Sequence, residues 1–234
     1  GLRQWRLCGN NGIQTIKDMK KWSDEAWAAA APVYEQIINQ PFVRGLADGS
    51  LSRQRFMHYI AQDSLYIGEY FRVLSHIASR LRDSSHAADF VGFAADGVAV
   101  EKALHESYLS TNEDKPAAMT PACTLYTSVL KAQSYAPVEV EAAAVLPCFW
   151  VYQKVGETIY KACTDSANPY KAWIDTYADP AFEASTQRAI AICDELAQAA
   201  SPETRAAMTD IFVLCTKMEW LFWDSAWNLE KWKI

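Results

Sequence analysis

The sequence lacks the features that mark several common classes of protein. Its 234 residues carry a net charge of -6, and no basic run stands out beyond a short patch from Lys17 to Lys21. The electrostatic footprint of a nucleic-acid-binding protein is therefore missing. No stretch of about 18 or more apolar residues occurs, and no charged segment leads through an apolar one to a small-residue cleavage site. We expect a cytoplasmic protein that binds neither nucleic acid nor a membrane.

Close cysteine pairs, phosphate loops and serine elbows are also missing. The six cysteines are spread along the chain without the spacing of a zinc site or the density of a disulfide scaffold. No glycine-rich phosphate loop and no strand-turn-helix motif with a nucleophilic serine is found. The cysteines are therefore expected to be reduced thiols. They are Cys8, Cys123, Cys148, Cys163, Cys193 and Cys215.

Signals for β-strands are nearly absent, and the apolar residues repeat with the period of α-helices. Proline recurs where helices are expected to begin, a position at which its missing N–H does no harm. These prolines are Pro121, Pro137, Pro169, Pro180 and Pro202. The pattern predicts an all-α protein of seven or eight helices, with a polar N-terminal arm at residues 1–21 and a single domain at residues 22–234.

Two carboxylates lie within the apolar stripes of long predicted helices. The residues on the same faces are Phe212, Cys215, Phe222 and Ala226 around Glu219, and Phe56, Tyr59, Ile60, Tyr66 and Tyr70 around Asp63. Burying an ionised carboxylate without partners costs several kcal/mol, so each must shift its pKa, find a partner or serve a ligand. A buried ion pair, for instance between Asp63 and Arg72, is the structural alternative. Among aromatic residues, Glu219 is expected to have a raised pKa and to act as a general acid.

Cys148 follows a proline inside a helix that is predicted to run from Pro137 to Ala162. Pro147 removes one backbone hydrogen bond and pushes against the carbonyl of Ala143, so we expect a kink beside the sulfur. A buried small residue next to a structural kink is the alternative interpretation. Together, the Cys148 thiol, the Glu219 carboxyl with its raised pKa and the Asp63 carboxylate among aromatic residues suit the binding of a flat, polar heterocycle.

A metal site is the competing interpretation. Glu101 and His105 are one helical turn apart, which is the spacing by which helical bundles hold iron or manganese. A di-iron bundle site requires a Glu-x-x-His motif on each of two helices, and no such pair exists in this sequence. Glu101 and His105 are also explained by hydrogen bonds to each other or to neighbouring residues.

The sequence resembles the TenA family, the thiaminase II enzymes, over residues 22 to 230. The matching motifs are Pro41-Phe42-Val43-Arg44-Gly45, Asp48-Gly49-Ser50-Leu51, Phe56, Gln62-Asp63 with Tyr66, Leu146-Pro147-Cys148 with Trp150 and Tyr152, Tyr177, and Glu219 with Phe222-Trp223. The resemblance implies a haem-oxygenase-like helical bundle, assembled as a homotetramer without haem, metal or another cofactor. It also implies hydrolysis of 4-amino-5-aminomethyl-2-methylpyrimidine, a breakdown product of thiamin, and of thiamin itself, to the hydroxymethylpyrimidine.

The resemblance also implies a role for each site residue. Cys148 matches the nucleophile, Asp63 matches the residue that holds the amino group and adjacent nitrogen of the ring, and Glu219 matches the proton shuttle. The expected substrate-binding residues are Tyr66, Tyr126, Tyr152, Tyr177 and Phe222, with Tyr152 supporting the thiol. A carrier or regulator that holds a pyrimidine or thiamin without turnover is the rival function, and a metal-dependent oxidase is a third.

Overall fold

The computed structural model describes residues 20–109 and 118–234, without the side chains of residues 101, 104 and 105. This part of the chain contains nine α-helices and no β-strand. The helices are α1 (Trp22–Ile38), α2 (Pro41–Asp48), α3 (Arg53–Arg80), α4 (Ser84–Tyr108), α5 (Pro121–Ala132), α6 (Val138–Ala162), α7 (Lys171–Asp175), α8 (Pro180–Ala199) and α9 (Pro202–Trp227). The prediction of an all-α fold is confirmed. Seven of these helices have twelve residues or more, and the short α2 and α7 add to the predicted count.

Three of the five predicted prolines begin helices. These are Pro121 in α5, Pro180 in α8 and Pro202 in α9. Pro137 is the residue before α6, whereas Pro169 does not begin a helix, so that part of the prediction is wrong. The reason is a local turn in which the side-chain oxygen of Asn168 accepts from the backbone N–H of Tyr170 at 2.8 Å. An asparagine that bonds its own backbone two residues ahead favours a turn over a helix.

The core forms where the longer helices pack against one another. The largest interfaces join α3 with α4, α6 with α9, and α1 with α9. One buried polar group also links α3 to α6, because the carboxylate of Glu141 is 1% exposed and accepts from Arg80 at 2.5 Å and pairs with His76 at 2.7 Å. Helices α3, α6 and α9 pack against one another in this core, and each carries one of the three predicted catalytic residues.

Helix α6 runs without interruption through Pro147. Because proline has no N–H, the carbonyl of Ala143 lacks its usual partner inside the helix. The next turn is held from outside, since the hydroxyl of Tyr70 on α3 donates to the carbonyl of Val145 at 2.8 Å. This bond ties α3 to α6 one turn before Cys148, so the position of the sulfur is set by two helices.

Two further expectations concern the ends and the surface of the chain. Helix α1 begins at Trp22, directly after the predicted arm, of which residues 1–19 lie outside the described part. Within residues 20–109 and 118–234, none of the helices combines the length and the apolar character that a membrane span requires.

Candidate active site

Seven of the eight predicted site residues line one chamber at the centre of the bundle. The chamber has a volume of about 90 Å³. Its walls are formed by Tyr59, Asp63, Tyr66, Ile67, Val100, Tyr126, Cys148, Tyr152, Glu219, Phe222 and Trp223. The eighth predicted residue, Tyr177, lies behind this wall and packs against the ring of Tyr152, with 5.3 Å between ring centroids.

Five helices supply these side chains, with Val100 coming from α4, and helical spacing explains how residues of one helix reach the chamber together. Residues three, four or seven apart lie on the same face of an α-helix. Helix α3 therefore presents Tyr59, Asp63 and Tyr66 together. Helix α6 presents Cys148 with Tyr152, and α5 adds Tyr126. Helix α9 presents Glu219, Phe222 and Trp223.

Asp63 faces the chamber without a partner. No hydrogen bond or ion pair to its carboxylate is formed by any residue that the structure describes. Burial alone raises its pKa to about 7. The predicted alternative, an ion pair with Arg72, is wrong because that guanidinium bonds the carbonyl of Gly68 and lies over the ring of Phe71 at 4.7 Å. Asp63 is half-buried, and an acid that lies unpaired in a helix bundle is available to bind a ligand.

Glu219 is 5% exposed and accepts a hydrogen bond from the hydroxyl of Tyr126 at 2.7 Å. The pKa of Glu219 is raised to about 8. Burial is the main cause and the charge of Asp63 adds to it, whereas the hydrogen bond from Tyr126 acts in the lowering direction. At neutral pH this carboxyl therefore holds a proton most of the time. It can donate that proton to a leaving group and recover it from water, as the prediction of a general acid requires.

The surroundings of Cys148 favour the protonated form of its thiol. Burial and then the charge of Glu219 raise its pKa well above the ordinary value, while the hydroxyls of Tyr66 and Tyr70 act in the lowering direction. The hydroxyl of Tyr66 is buried and has no acceptor within hydrogen-bond geometry among the described residues. Because only a thiolate is a strong nucleophile, a nucleophilic role for this sulfur would require a group that accepts its proton.

Two aromatic residues that were not among the predicted site residues complete the chamber. The hydroxyls of Tyr59 and Tyr152 are 2.9 Å apart, and both rings stack on Trp223, with centroids 4.9 and 6.0 Å away. The hydroxyl of Tyr152 therefore bonds the hydroxyl of Tyr59. The hydroxyls that lower the pKa of the Cys148 thiol belong to Tyr66 and Tyr70 on α3. A signal for both residues existed in the sequence, because Tyr59 is four residues before Asp63 and Trp223 is four residues after Glu219.

The described residues do not form a metal site. No group of three or more His, Cys, Asp or Glu side chains in this part of the chain could hold a metal ion. The side chains of Glu101 and His105, which carry the competing metal hypothesis, lie outside the described residues. Cys8 lies outside them as well, and the other five cysteines are free thiols.

Comparisons of the sequence with known proteins identify related chains. The profile of the TENA/THI-4/PQQC family matches residues 27–229. A Bacillus subtilis protein named aminopyrimidine aminohydrolase is 34% identical, and the match covers 91% of this chain and 92% of that protein. A Corynebacterium efficiens protein named thiamine biosynthesis multifunctional protein ThiED is 36% identical over 86% of this chain, but the chain spans only 28% of that relative's length.

Solved structures show the same fold. A TenA homologue from P. horikoshii superposes with a TM-score of 0.80 at 24% identity, covering 89% of this chain and 99% of that one. A Shewanella denitrificans domain described as having a heme oxygenase-like fold gives a TM-score of 0.72 at 12% identity, with 88% and 92% coverage. The predicted haem-oxygenase-like bundle is confirmed, and the chain belongs to the TENA/THI-4/PQQC family.

Proposed function

We propose that this protein is a hydrolase of thiamin salvage, an aminopyrimidine aminohydrolase of the thiaminase II type. Its substrates are 4-amino-5-aminomethyl-2-methylpyrimidine and thiamin, and its product is 4-amino-5-hydroxymethyl-2-methylpyrimidine. The observation that carries the proposal is the unpaired carboxylate of Asp63, which faces an aromatic chamber together with Glu219 and Cys148. The name of the Bacillus subtilis relative, of which the match covers 92%, supports the reaction.

The chamber suits a single flat ring with polar edges. Its walls are mostly aromatic, including Tyr66, Tyr126 and Phe222, whose rings can contact the faces and edges of a heterocycle. Asp63 is the acceptor for an amino group and for a protonated ring nitrogen beside it. A pKa of about 7 lets this carboxyl share a proton with a ring nitrogen at little cost.

The first chemical step is addition of the sulfur to the ring. The Cys148 thiol loses its proton to a nearby base, and its electron pair forms a C–S bond to the ring carbon next to the substituted carbon. The electron pair of the adjacent ring C=N bond moves to nitrogen, which takes up a proton. The ring is then no longer aromatic, so the 4-amino group can push electrons toward the exocyclic carbon.

Departure of the substituent and attack of water complete the reaction. The exocyclic bond breaks with its electron pair on the leaving group, which receives the proton of Glu219 when it leaves as an amine. Water then adds to the exocyclic methylene and returns a proton to Glu219. The C–S bond breaks, the ring nitrogen loses its proton, and aromaticity and the thiol are restored. The net change is replacement of the substituent by a hydroxyl group.

The decisive experiment compares Cys148→Ser with Cys163→Ser, a matched control at the end of the same helix and away from the chamber. Cys148→Ser is expected to bind the hydroxymethylpyrimidine in calorimetry but to release none from substrate. Cys163→Ser is expected to behave as wild type, and mass spectrometry of quenched wild type should show the adduct on Cys148. Unchanged turnover by Cys148→Ser would eliminate the covalent step.

Two results would favour the rival functions. Saturable binding of the pyrimidine or thiamin by wild type without any product would indicate a carrier or regulator. Stoichiometric iron or manganese in the purified protein, measured by elemental analysis, would indicate the metal-dependent oxidase around Glu101 and His105. Neither result is expected.

We also propose that the protein acts as a homotetramer in the cytoplasm. Helix α4 carries apolar side chains on its outer surface, with Val91 and Val98 59% and 45% exposed. Apolar residues repeated on one exposed helix indicate a surface that a second copy covers. Light scattering should give four times the chain mass of 26.2 kDa, and a monomer at micromolar concentration would contradict the assembly.

A further inference from the structure

A second and larger cavity adjoins the chamber. This outer cavity has a volume of about 390 Å³ and lies between helices α3, α4, α6 and α8. It shares three wall residues with the chamber, namely Ile67, Val100 and Cys148. The cysteine therefore lies in the partition between the two spaces, with the acids Asp63 and Glu219 on the inner side only.

The two volumes decide how a substrate with two rings can be placed. Cavities that enclose drug-sized ligands have volumes of about 300–1,000 Å³, and the inner chamber, at about 90 Å³, is well below that range. It has space for one small ring at most. A second ring joined to the first must leave the chamber, and the outer cavity on the far side of the Cys148 partition is large enough to receive it.

The chemistry of the proposed reaction points the second ring in that direction. The sulfur bonds to the ring carbon beside the one that carries the substituent, so the substituent starts next to the sulfur. A pyrimidine held by Asp63 on the inner side then directs its substituent toward the partition and away from Asp63.

The walls of the outer cavity suit an aromatic cation. Phe149 and Phe182 provide aromatic surface, while the carboxylates of Asp96 and Asp179 provide negative charge near the solvent. Asp179 is held in place because its carboxylate accepts from the backbone N–H of Ala181 at 2.9 Å. No lysine, arginine or histidine lines this cavity among the described residues. Aromatic faces and carboxylates both attract a delocalised cation.

We propose that the outer cavity is the binding site for the leaving group of two-ring substrates, and that this leaving group is a cationic heteroaromatic ring such as the thiazolium of thiamin. The substrate class is then 4-aminopyrimidines with a bulky, cationic substituent at position 5. This inference rests on the proposed function, since the leaving group is defined by that reaction. It assigns Asp96 and Asp179 to a site that lies on the other side of Cys148 from Asp63 and Glu219.

The experiment fills the outer cavity and measures selectivity between two substrates. Ala181→Trp places a large ring in the cavity, and Ala184→Trp makes the same change three residues later on α8, on an exposed residue that does not line it. The readout is the ratio of kcat/KM for thiamin to kcat/KM for the aminomethylpyrimidine. We expect Ala181→Trp to lower this ratio at least tenfold, about the smallest effect of a changed pocket contact, and Ala184→Trp to leave it unchanged.

A second variant tests the charge of the site. Asp96→Asn is expected to raise KM for thiamin about two- to fivefold, the range for an exposed charge pair, and high salt should remove the difference. Circular dichroism establishes that each variant is folded. If Ala181→Trp does not fold, Asp96→Asn provides the test.

The outcomes separate the two proposals. A wild type that hydrolyses neither compound refutes the proposed function, and the inference falls with it. A wild type that hydrolyses only the aminomethylpyrimidine, or equal ratios in Ala181→Trp and Ala184→Trp, overturns the outer-cavity assignment and leaves the proposed function standing. A ratio that falls only in Ala181→Trp supports it.

Discussion

Gly156 on α6 should tolerate no side chain because Tyr177 occupies the space beside it. A Cβ atom built on Gly156 would lie 2.0 Å from Cδ1 and 2.4 Å from Cγ of the Tyr177 ring. Ordinary van der Waals contact begins near 3.4 Å. In Gly156→Ala the tyrosine ring must therefore move by at least 1.4 Å, the difference between 3.4 and 2.0 Å. Because Tyr177 supports the ring of Tyr152, the displacement reaches the wall of the chamber.

Two opposing effects set the magnitude for stability. Overpacking of a core costs about 1–3 kcal/mol, whereas replacing a glycine inside a helix by alanine contributes about 0.5–1 kcal/mol. Gly156→Ala should thus lower the free energy of unfolding by about 0–2.5 kcal/mol. Gly92→Ala on α4 is the matched control, since its new Cβ would meet nothing within 4 Å. It should raise stability by about 0.5–1 kcal/mol.

Activity should respond more strongly than stability. A displacement of about 1 Å in groups that position a substrate can reduce the rate by about 100-fold, so we expect a fall of that order in kcat/KM for Gly156→Ala. The assays are urea unfolding and turnover of the aminomethylpyrimidine. In a Tyr177→Ala background the contact is absent, and Gly156→Ala should then be stabilising. Equal stability and turnover in Gly156→Ala and Gly92→Ala would refute the reasoning.

Two further predictions concern the buried acids. Burial raises the folded-state pKa of Asp63 from 3.8 to about 7 and that of Glu219 from 4.5 to about 8. Between the unfolded and folded pKa values, the folded state therefore binds more protons than the unfolded state. The stability that the two protonated carboxyls contribute is fully present below about pH 4 and is lost as pH rises through 7 and 8. The loss is at most about 1.4 kcal/mol per pH unit for each group. Urea unfolding from about pH 5 to pH 9 should show this slope in wild type but not in Asp63→Asn/Glu219→Gln, and an equal slope in both would exclude the two acids as its source. Tyr126→Phe removes the hydrogen bond that lowers the pKa of Glu219, so the alkaline limb of kcat/KM should move to higher pH; a limb that stays in place would separate Tyr126 from this titration.

Much of the fold could be predicted from local patterns. The apolar period indicates helices, and proline marks the first residue of α5, α8 and α9 because its missing N–H is best tolerated at that position of a helix. The failure at Pro169 has the same local origin, since the Asn168 side chain forms a competing turn. The short helices α2 and α7 were not predicted because five to eight residues carry too few turns for a period to be visible.

The site could be predicted in part. Asp63 and Glu219 were identified because a carboxylate in an apolar stripe is conspicuous in the sequence. Tyr59 and Trp223 were not predicted as site residues, because an aromatic residue in an apolar stripe is typical of a hydrophobic core. The location of Tyr177 behind the chamber depends on its contact with Gly156, which is 21 positions earlier in the chain. No local pattern reports such a contact.

The sequence by itself determined which residues share a helical face, and therefore that Asp63, Cys148 and Glu219 each lie on a buried side of a helix. That information is local, because side-chain direction follows from the backbone period alone. Only the tertiary structure decided that the three faces meet in one chamber, that Asp63 has no ion-pair partner among the described residues, and that Cys148 separates the chamber from a second cavity. These properties arise from the packing of helices that are distant in the chain, where burial and the presence or absence of a neighbour set the pKa of each group.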